Sequence, residues 1–200
     1  WVDCWERTQI RTRKSYLKPN EIPIFLANCK PELRPYMVIL IHTGIRIGEL
    51  RALDWSQVDR RNKLVNICAS ESRHCKRKGT KTGKSRQVPL TDTALQAFSE
   101  LASAQGSAWI VSGDVCSSKN VNDIAAEVVR LRPLFPRIEQ EDPTDPLVVH
   151  SLRHTCASSL IHAGVTLEKI GKILGQSTKR ITEQYSHLAT SDMHDTVALL

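Results

Sequence analysis

Apolar residues recur at helical spacing along most of the chain and give way to short β-type runs only between Lys63 and Leu90. The pattern predicts an α+β fold, mainly α-helical, with a small antiparallel sheet. Ile22, Phe25 and Leu26 share one face of a short helix whose first turn takes Pro19 and Pro23 and whose cap lies around Asn20. A second helix runs through Tyr36, Val38, Ile39 and Ile41, and Gly44 is placed to end it in a left-handed cap. Helical spacing resumes from Arg46 to Leu53 through Ile47, Leu50 and Leu53.

Leu64–Ile67 and Gln87–Leu90 read as the strands of the sheet, separated by a basic segment containing glycine. Thr91 or Asp92 then caps a helix to about Ala104, Trp109–Val111 reads as a further strand, and Val121–Leu134 as another helix. Pro133, Pro136, Pro143 and Pro146, with Glu139, Glu141, Asp142 and Asp145, predict an exposed acidic connection. The last part is helical in short pieces: Ser151–His162 stopped by Gly164, Thr166–Leu174 stopped by Gly175, and Thr178–His187. Asp192–Leu200 either packs or hangs free. At the other end, Arg7, Arg11, Arg13, Lys14 and Lys18 lack apolar periodicity, so residues 1–18 read as a basic linker or arm and 19–200 as the folded domain.

Composition narrows the class. With 200 residues, hydrophobic types at 40% and charged types at 24%, the chain can bury a core, which excludes a disordered protein. No apolar run reaches the roughly 18 residues that a membrane-spanning helix needs. Lys and Arg number 28 against 21 Asp and Glu, a formal charge of +7 that favours a polyanionic partner. The cysteines Cys4, Cys29, Cys68, Cys75, Cys116 and Cys156 form no CxxC pair, so neither a zinc site nor a disulfide framework is expected, and reduced thiols fit a cytoplasmic protein. The start at Trp1, without Met or a leader, reads as a piece of something longer.

Four features can carry chemistry. Arg73, Lys76, Arg77, Lys78, Lys81, Lys84 and Arg86 crowd one segment, which suits phosphate binding by a narrow ribbon or, more plainly, a solvated hairpin tip. His150 and Arg153 lie three apart and so share a helix face; Arg46 and Glu49 repeat that spacing, where an ordinary surface ion pair is the plain reading. Tyr185 sits in the polar run Thr182-Glu183-Gln184-Tyr185-Ser186-His187, and a phenol becomes a nucleophile at neutral pH only beside cations.

Together these residues resemble the tyrosine recombinases, the phage integrase family, from about Leu17 to His187. Thr43-Gly44-Ile45-Arg46-Ile47-Gly48-Glu49-Leu50 is similar to the segment holding the family's first catalytic arginine and a supporting acid. Lys81-Thr82-Gly83-Lys84-Ser85-Arg86-Gln87-Val88-Pro89-Leu90 resembles its β-hairpin, where the first lysine of the turn is catalytic. His150-Ser151-Leu152-Arg153-His154-Thr155 matches the histidine and second arginine, and Leu174-Gly175-Gln176-Ser177 through Tyr185 matches the segment ending in the nucleophile. One position departs: Gln176 stands where the family has His or Trp, and an amide donates a hydrogen bond without carrying a proton.

The resemblance implies a site-specific recombinase that cleaves and rejoins double-stranded DNA through a 3′-phosphotyrosine. Its catalytic residues would be Arg46, Lys81, His150, Arg153, Gln176 and Tyr185, supported by Glu49. DNA contacts would come from Arg73, Lys76, Arg77, Lys78, Lys84 and Arg86. Protomers would assemble on DNA as a dimer and then a tetramer, and a core-binding domain would lie outside this chain. No metal or cofactor is expected, because Asp54, Asp59 and Asp92 read as turn and cap residues rather than a two-metal cluster. Two rivals stand beside this reading: a non-enzymatic regulator using the helix-turn-helix spacing of 166–185, and a type IB topoisomerase sharing the chemistry.

Overall fold

The computed structural model describes residues 15–72, 75–79, 85–104 and 119–186. Its centre is α2 (Arg34–Thr43), buried continuously from Tyr36 to Ile41. A helix apolar all round must be covered on every side. Here the cover comes from α1 (Glu21–Ala27), α4 (Asp92–Ala104) and α7 (Val149–His162). Gly44 ends α2 at φ +62°, in the left-handed conformation expected of it, and α3 (Ile47–Arg51) follows at once.

The expected strands form and pair. In a three-stranded antiparallel sheet, β2 (Leu64–Ile67) lies between β1 (Val58–Asp59) and β5 (Arg86–Pro89), with Val65 opposite both Val58 and Val88. Val65, Ile67 and Val88 alternate inward to the core, as one buried sheet face requires. A separate two-stranded ribbon, β3 (Ala69–Ser72) with β4 (Cys75–Gly79), carries part of the basic segment away from that sheet.

Two sequence expectations need correction. Residues 15–18 are not part of a free arm: Leu17 is fully buried, its amide donates to Thr155 Oγ1, and the Ser15 amide donates to Asp145 Oδ2. Basic neighbours hid these short apolar and hydroxyl anchors. Nor is the acidic connection simply exposed. α5 (Lys119–Leu131) stops before Pro133, whose ring cannot continue a helix, and a 3₁₀ turn leads into α6 (Pro136–Glu141). Phe135 and Ile138 enter the core, and Arg137 bonds Glu21 and the Tyr16 carbonyl, binding this segment to the chain start. The expected strand at 109–111 and the segment 192–200 lie outside the described residues.

α7 is followed by α8 (Leu167–Leu174) and by α9, helical over 178–186. Ala157, Ile161, Ile170, Leu174, Ile181 and Tyr185 join these three helices in a second apolar cluster beside the main core. The last helix is thus seated by its own small core, and that seat fixes where Tyr185 lies. Among the described residues no helix is long and apolar enough to cross a membrane.

Candidate active site

Arg46 occupies the N-cap position of α3, in extended backbone directly after the Gly44 turn. Its amide donates to Glu49 Oε2 at 2.8 Å, the reciprocal half of a capping box, and its Nη1 donates to Glu49 Oε1 at 2.9 Å. The spacing that reads as a surface pair therefore holds a buried carboxylate, Glu49 being 3% exposed.

Arg86, the first residue of β5, reaches the same carboxylate. Nη1 and Nη2 donate to Oε1 and Oε2 at 2.9 and 2.7 Å, and Nε donates to the Ile173 carbonyl. Parallel bonds of this kind are the strongest form of the pair. Arg153, one turn into α7 and 2% exposed, donates from Nη1 to the Gly44 carbonyl and from Nη2 to the Leu174 carbonyl. Two guanidiniums thus satisfy carbonyls left open at the end of α8, where the helix dipole also favours cations. The connections close a ring: 44–49 to Arg86, Arg86 to 173, 174 to Arg153, and Arg153 back to Gly44.

The ring is electropositive, with three guanidiniums against one carboxylate. Burial first, and then the charge of Arg46, drag the Arg153 pKa down to about 9, with Glu49 opposing. A cation so penalised favours an incoming anion. Burial by itself would raise the Glu49 carboxyl, but hydrogen bonds and charge from Arg86, together with those of Arg46, outweigh it and leave the pKa lowered.

Tyr185 is 4% exposed and projects from α9 onto α7. Its Oη lies 2.5 Å from His154 Nδ1, and the two rings are 5.7 Å apart. Burial pushes the phenol pKa up, Arg153 pulls against that, and Cys156 adds to it. Because Arg153 acts through space on Tyr185 and feels Arg46, Glu49 and Arg86, all five belong to one electrostatic neighbourhood.

Gln176 follows the left-handed Gly175, and its amide donates back to the Gly171 carbonyl at 2.9 Å, which closes the helix end. Its side-chain Oε1 is buried and has no hydrogen-bond partner among the described residues. His150 is exposed in the first turn of α7, its ring edge-on to His154 at 4.9 Å. Arg46, Glu49, His150, Arg153, Gln176 and Tyr185 are therefore all on the segments that meet here.

The remaining candidates divide differently. Lys81, Arg73 and Lys84 lie outside the described residues; Lys76, Arg77 and Lys78 lie along β4. Arg86 points inward to Glu49 and Ile173, a different place from the DNA-facing one its charge suggested. Asp54 caps a 3₁₀ turn through Ser56, Asp59 binds Asn62, and Asp92 pairs with Lys63. Sequence reasoning missed His154; the available signal was a second imidazole directly after Arg153.

The Phage integrase family model matches residues 15–192, and the chain belongs to that family. It is 28% identical over 152 residues to the tyrosine recombinase XerC of Corynebacterium efficiens, covering 76% of this chain and 45% of that protein. It is 29% identical over 171 residues to the transposase of transposon Tn916 from Enterococcus faecalis, covering 78% and 42%. The chain spans about half the length of the curated relatives it matches. Among solved structures, the Tn1549 transposon integrase in complex with transposon right end DNA superposes with a TM-score of 0.73 at 20% identity, covering 93% of this chain and 67% of that one. The catalytic domain of bacteriophage HP1 integrase gives 0.56 at 25% identity, covering 92% and 94%.

Proposed function

We propose that this chain is the catalytic part of a site-specific recombinase that cuts and rejoins double-stranded DNA through Tyr185. The observation that carries this reading is the ring joining Arg46, Glu49, Arg86 and Arg153 beside the buried phenol. Fixed cations around a nucleophile suit phosphoryl transfer, in which positioning and charge stabilisation do most of the catalysis.

In this scheme Arg46 and Arg153 hold the non-bridging oxygens of one phosphate, and His150 and the Gln176 amide add donors. Tyr185 Oη attacks phosphorus while Lys81 protonates the departing 5′-oxygen. The 3′-phosphotyrosine keeps the energy of the broken bond, so a 5′-hydroxyl can reverse the step without ATP. Enclosure of the phenol serves the same end, because water reaching the ester would leave an open break.

The catalytic domain would begin near Ser15, whose amide and that of Leu17 are bonded into the fold, with the preceding residues leading to a core-binding domain elsewhere in the protein. DNA would be contacted along the basic segment from Arg73 to Lys84. Protomers would assemble on DNA in the cytoplasm as a dimer and then a tetramer; the complex of the Tn1549 integrase with transposon right end DNA supports DNA as the partner.

The test is incubation with a library of singly nicked duplexes of randomised sequence in EDTA. An adduct surviving SDS, carried on Tyr185 and absent in Tyr185→Phe, is the expected result. Reversible binding alone would return the chain to the regulator class, and supercoil relaxation without exchange between paired sites would mark a topoisomerase.

A further inference from the structure

Resting on the recombinase reading, we propose that His154, and not the exposed His150, accepts the proton of Tyr185 as its oxygen attacks the DNA phosphorus. The pair is already in hydrogen-bond contact, Oη to Nδ1 at 2.5 Å, and both side chains are buried, at 4% and 2% exposure. A general base must lie within hydrogen-bond reach of the atom it serves, or act through one water, and His154 Nδ1 already touches Tyr185 Oη directly. His150 contacts the ring of His154 edge-on and stands at the surface, one turn back along the same helix face.

Helix geometry explains why one turn can supply both functions. Arg153 and His154 are consecutive, so their side chains diverge by about 100°. Arg153 turns to the Gly44 and Leu174 carbonyls, and His154 turns to α9. Gln184, next to the nucleophile, lays its amide nitrogen 3.3 Å from His154 Nδ1 and so covers the imidazole from the same helix. Burial opposes ionisation of the phenol, so an acceptor in direct contact lowers the cost of removing its proton.

The step balances. The Tyr185 O–H bond breaks and the proton passes to His154 Nδ1. The freed oxygen pair forms the P–O bond, the P–O5′ bond breaks with its electrons on O5′, and that oxygen takes a proton from Lys81. His154 ends as imidazolium and Lys81 as a neutral amine, and rejoining returns both protons. Among the described residues, the titratable and charged groups that face the pair are His150, Arg153 and Cys156.

His154→Asn tests this, because an amide keeps a hydrogen-bonding atom near Oη and cannot take the proton. On the duplex selected by the wild-type chain, adduct formation should slow by about 10² to 10⁴ with DNA retention unchanged. An inflection in the pH–rate profile of the wild type should vanish in His154→Asn yet persist in His150→Gln. Histidine ring ¹⁵N spectra of the chain alone supply a second readout: the His154 nitrogens should shift in Tyr185→Phe. Cleavage by His154→Asn within about threefold of wild type, or faster than it, would overturn the proposal, as would an inflection that follows His150. A wild-type chain that forms no adduct with any duplex would overturn the recombinase reading as well, an outcome distinct from failure of the variant comparison.

Discussion

Glu49 and Arg86, 37 residues apart in the chain, meet through two parallel hydrogen bonds of 2.9 and 2.7 Å in the interior. The carboxylate is shared with Arg46, and the guanidinium is shared with the end of α8, so the pair connects α3, β5 and α8 at one point. Removing one partner of a buried ion pair costs about 3 to 5 kcal/mol, since the other charge stays behind. Glu49→Gln and Arg86→Gln should each lower the unfolding free energy read from urea denaturation by that order, and the double variant should lose less than the sum. Full additivity in the denaturation series would show that the two are not coupled.

Acid should expose the same carboxylate. Its native pKa is depressed, so its stabilising contribution is complete above the ordinary value of 4.5 and is lost as pH falls through the lower native value. Thermal unfolding should therefore show a fall in Tm below about 4.5 that is shallower in Glu49→Gln. Equal slopes in both proteins would remove Glu49 from the account.

Alkali acts on Tyr185 with the opposite sense. Its native pKa is raised above the ordinary 10, so the unfolded chain releases the proton first and stability declines as pH rises past that point. Tyr185→Phe should be the more resistant of the two proteins above pH 10, measured by the urea midpoint.

Gly175 leaves no room for a side chain. It holds φ +64°, and a Cβ there would stand 2.9 Å from Arg86 Cδ and 3.1 Å from Nε. Gly175→Ala should both strain the turn and displace the guanidinium from Glu49, costing about 1 to 3 kcal/mol. Loss of adduct formation out of proportion to the loss of Tm is expected, because the displaced group positions Arg46 through the shared carboxylate.

Arg153 carries a buried positive charge beside Arg46 that an anion would relieve. Sulfate or inorganic phosphate should raise the Tm of the wild-type chain more than chloride at matched ionic strength, and Arg153→Lys should lose most of that difference. The same substitution should slow strand cleavage by about 10² or more, since a single ammonium cannot reproduce the fork.

The order of helices and strands was legible because each carries its own punctuation. Gly44 and Gly175 stop helices in the left-handed conformation, and the apolar alternation at Val65, Ile67 and Val88 marks the sheet. The motif residues Arg46, Arg153 and Tyr185 could likewise be named from local spacing and resemblance. Charge alone misled at Arg86, since a guanidinium seeks a carboxylate or a helix end as readily as a phosphate, and nothing local shows which is nearer. Acidic and proline-rich composition misled at Phe135 and Ile138 for a similar reason: two apolar anchors suffice to fold a polar segment against a core.

Sequence by itself therefore determined most of the helices, the three-stranded sheet, the glycine stops at 44 and 175 and the family resemblance, because propensity, turn chemistry and periodicity act over a few residues. Tertiary structure alone decided that Glu49 is buried between two arginines, that Arg86 and Arg153 bind the end of α8, and that Tyr185 faces His154 rather than solvent. Apart from the local Arg46–Glu49 bond, those contacts join residues from 21 to 87 positions apart. Their energies depend on desolvation and distance, which exist only once the helices have packed.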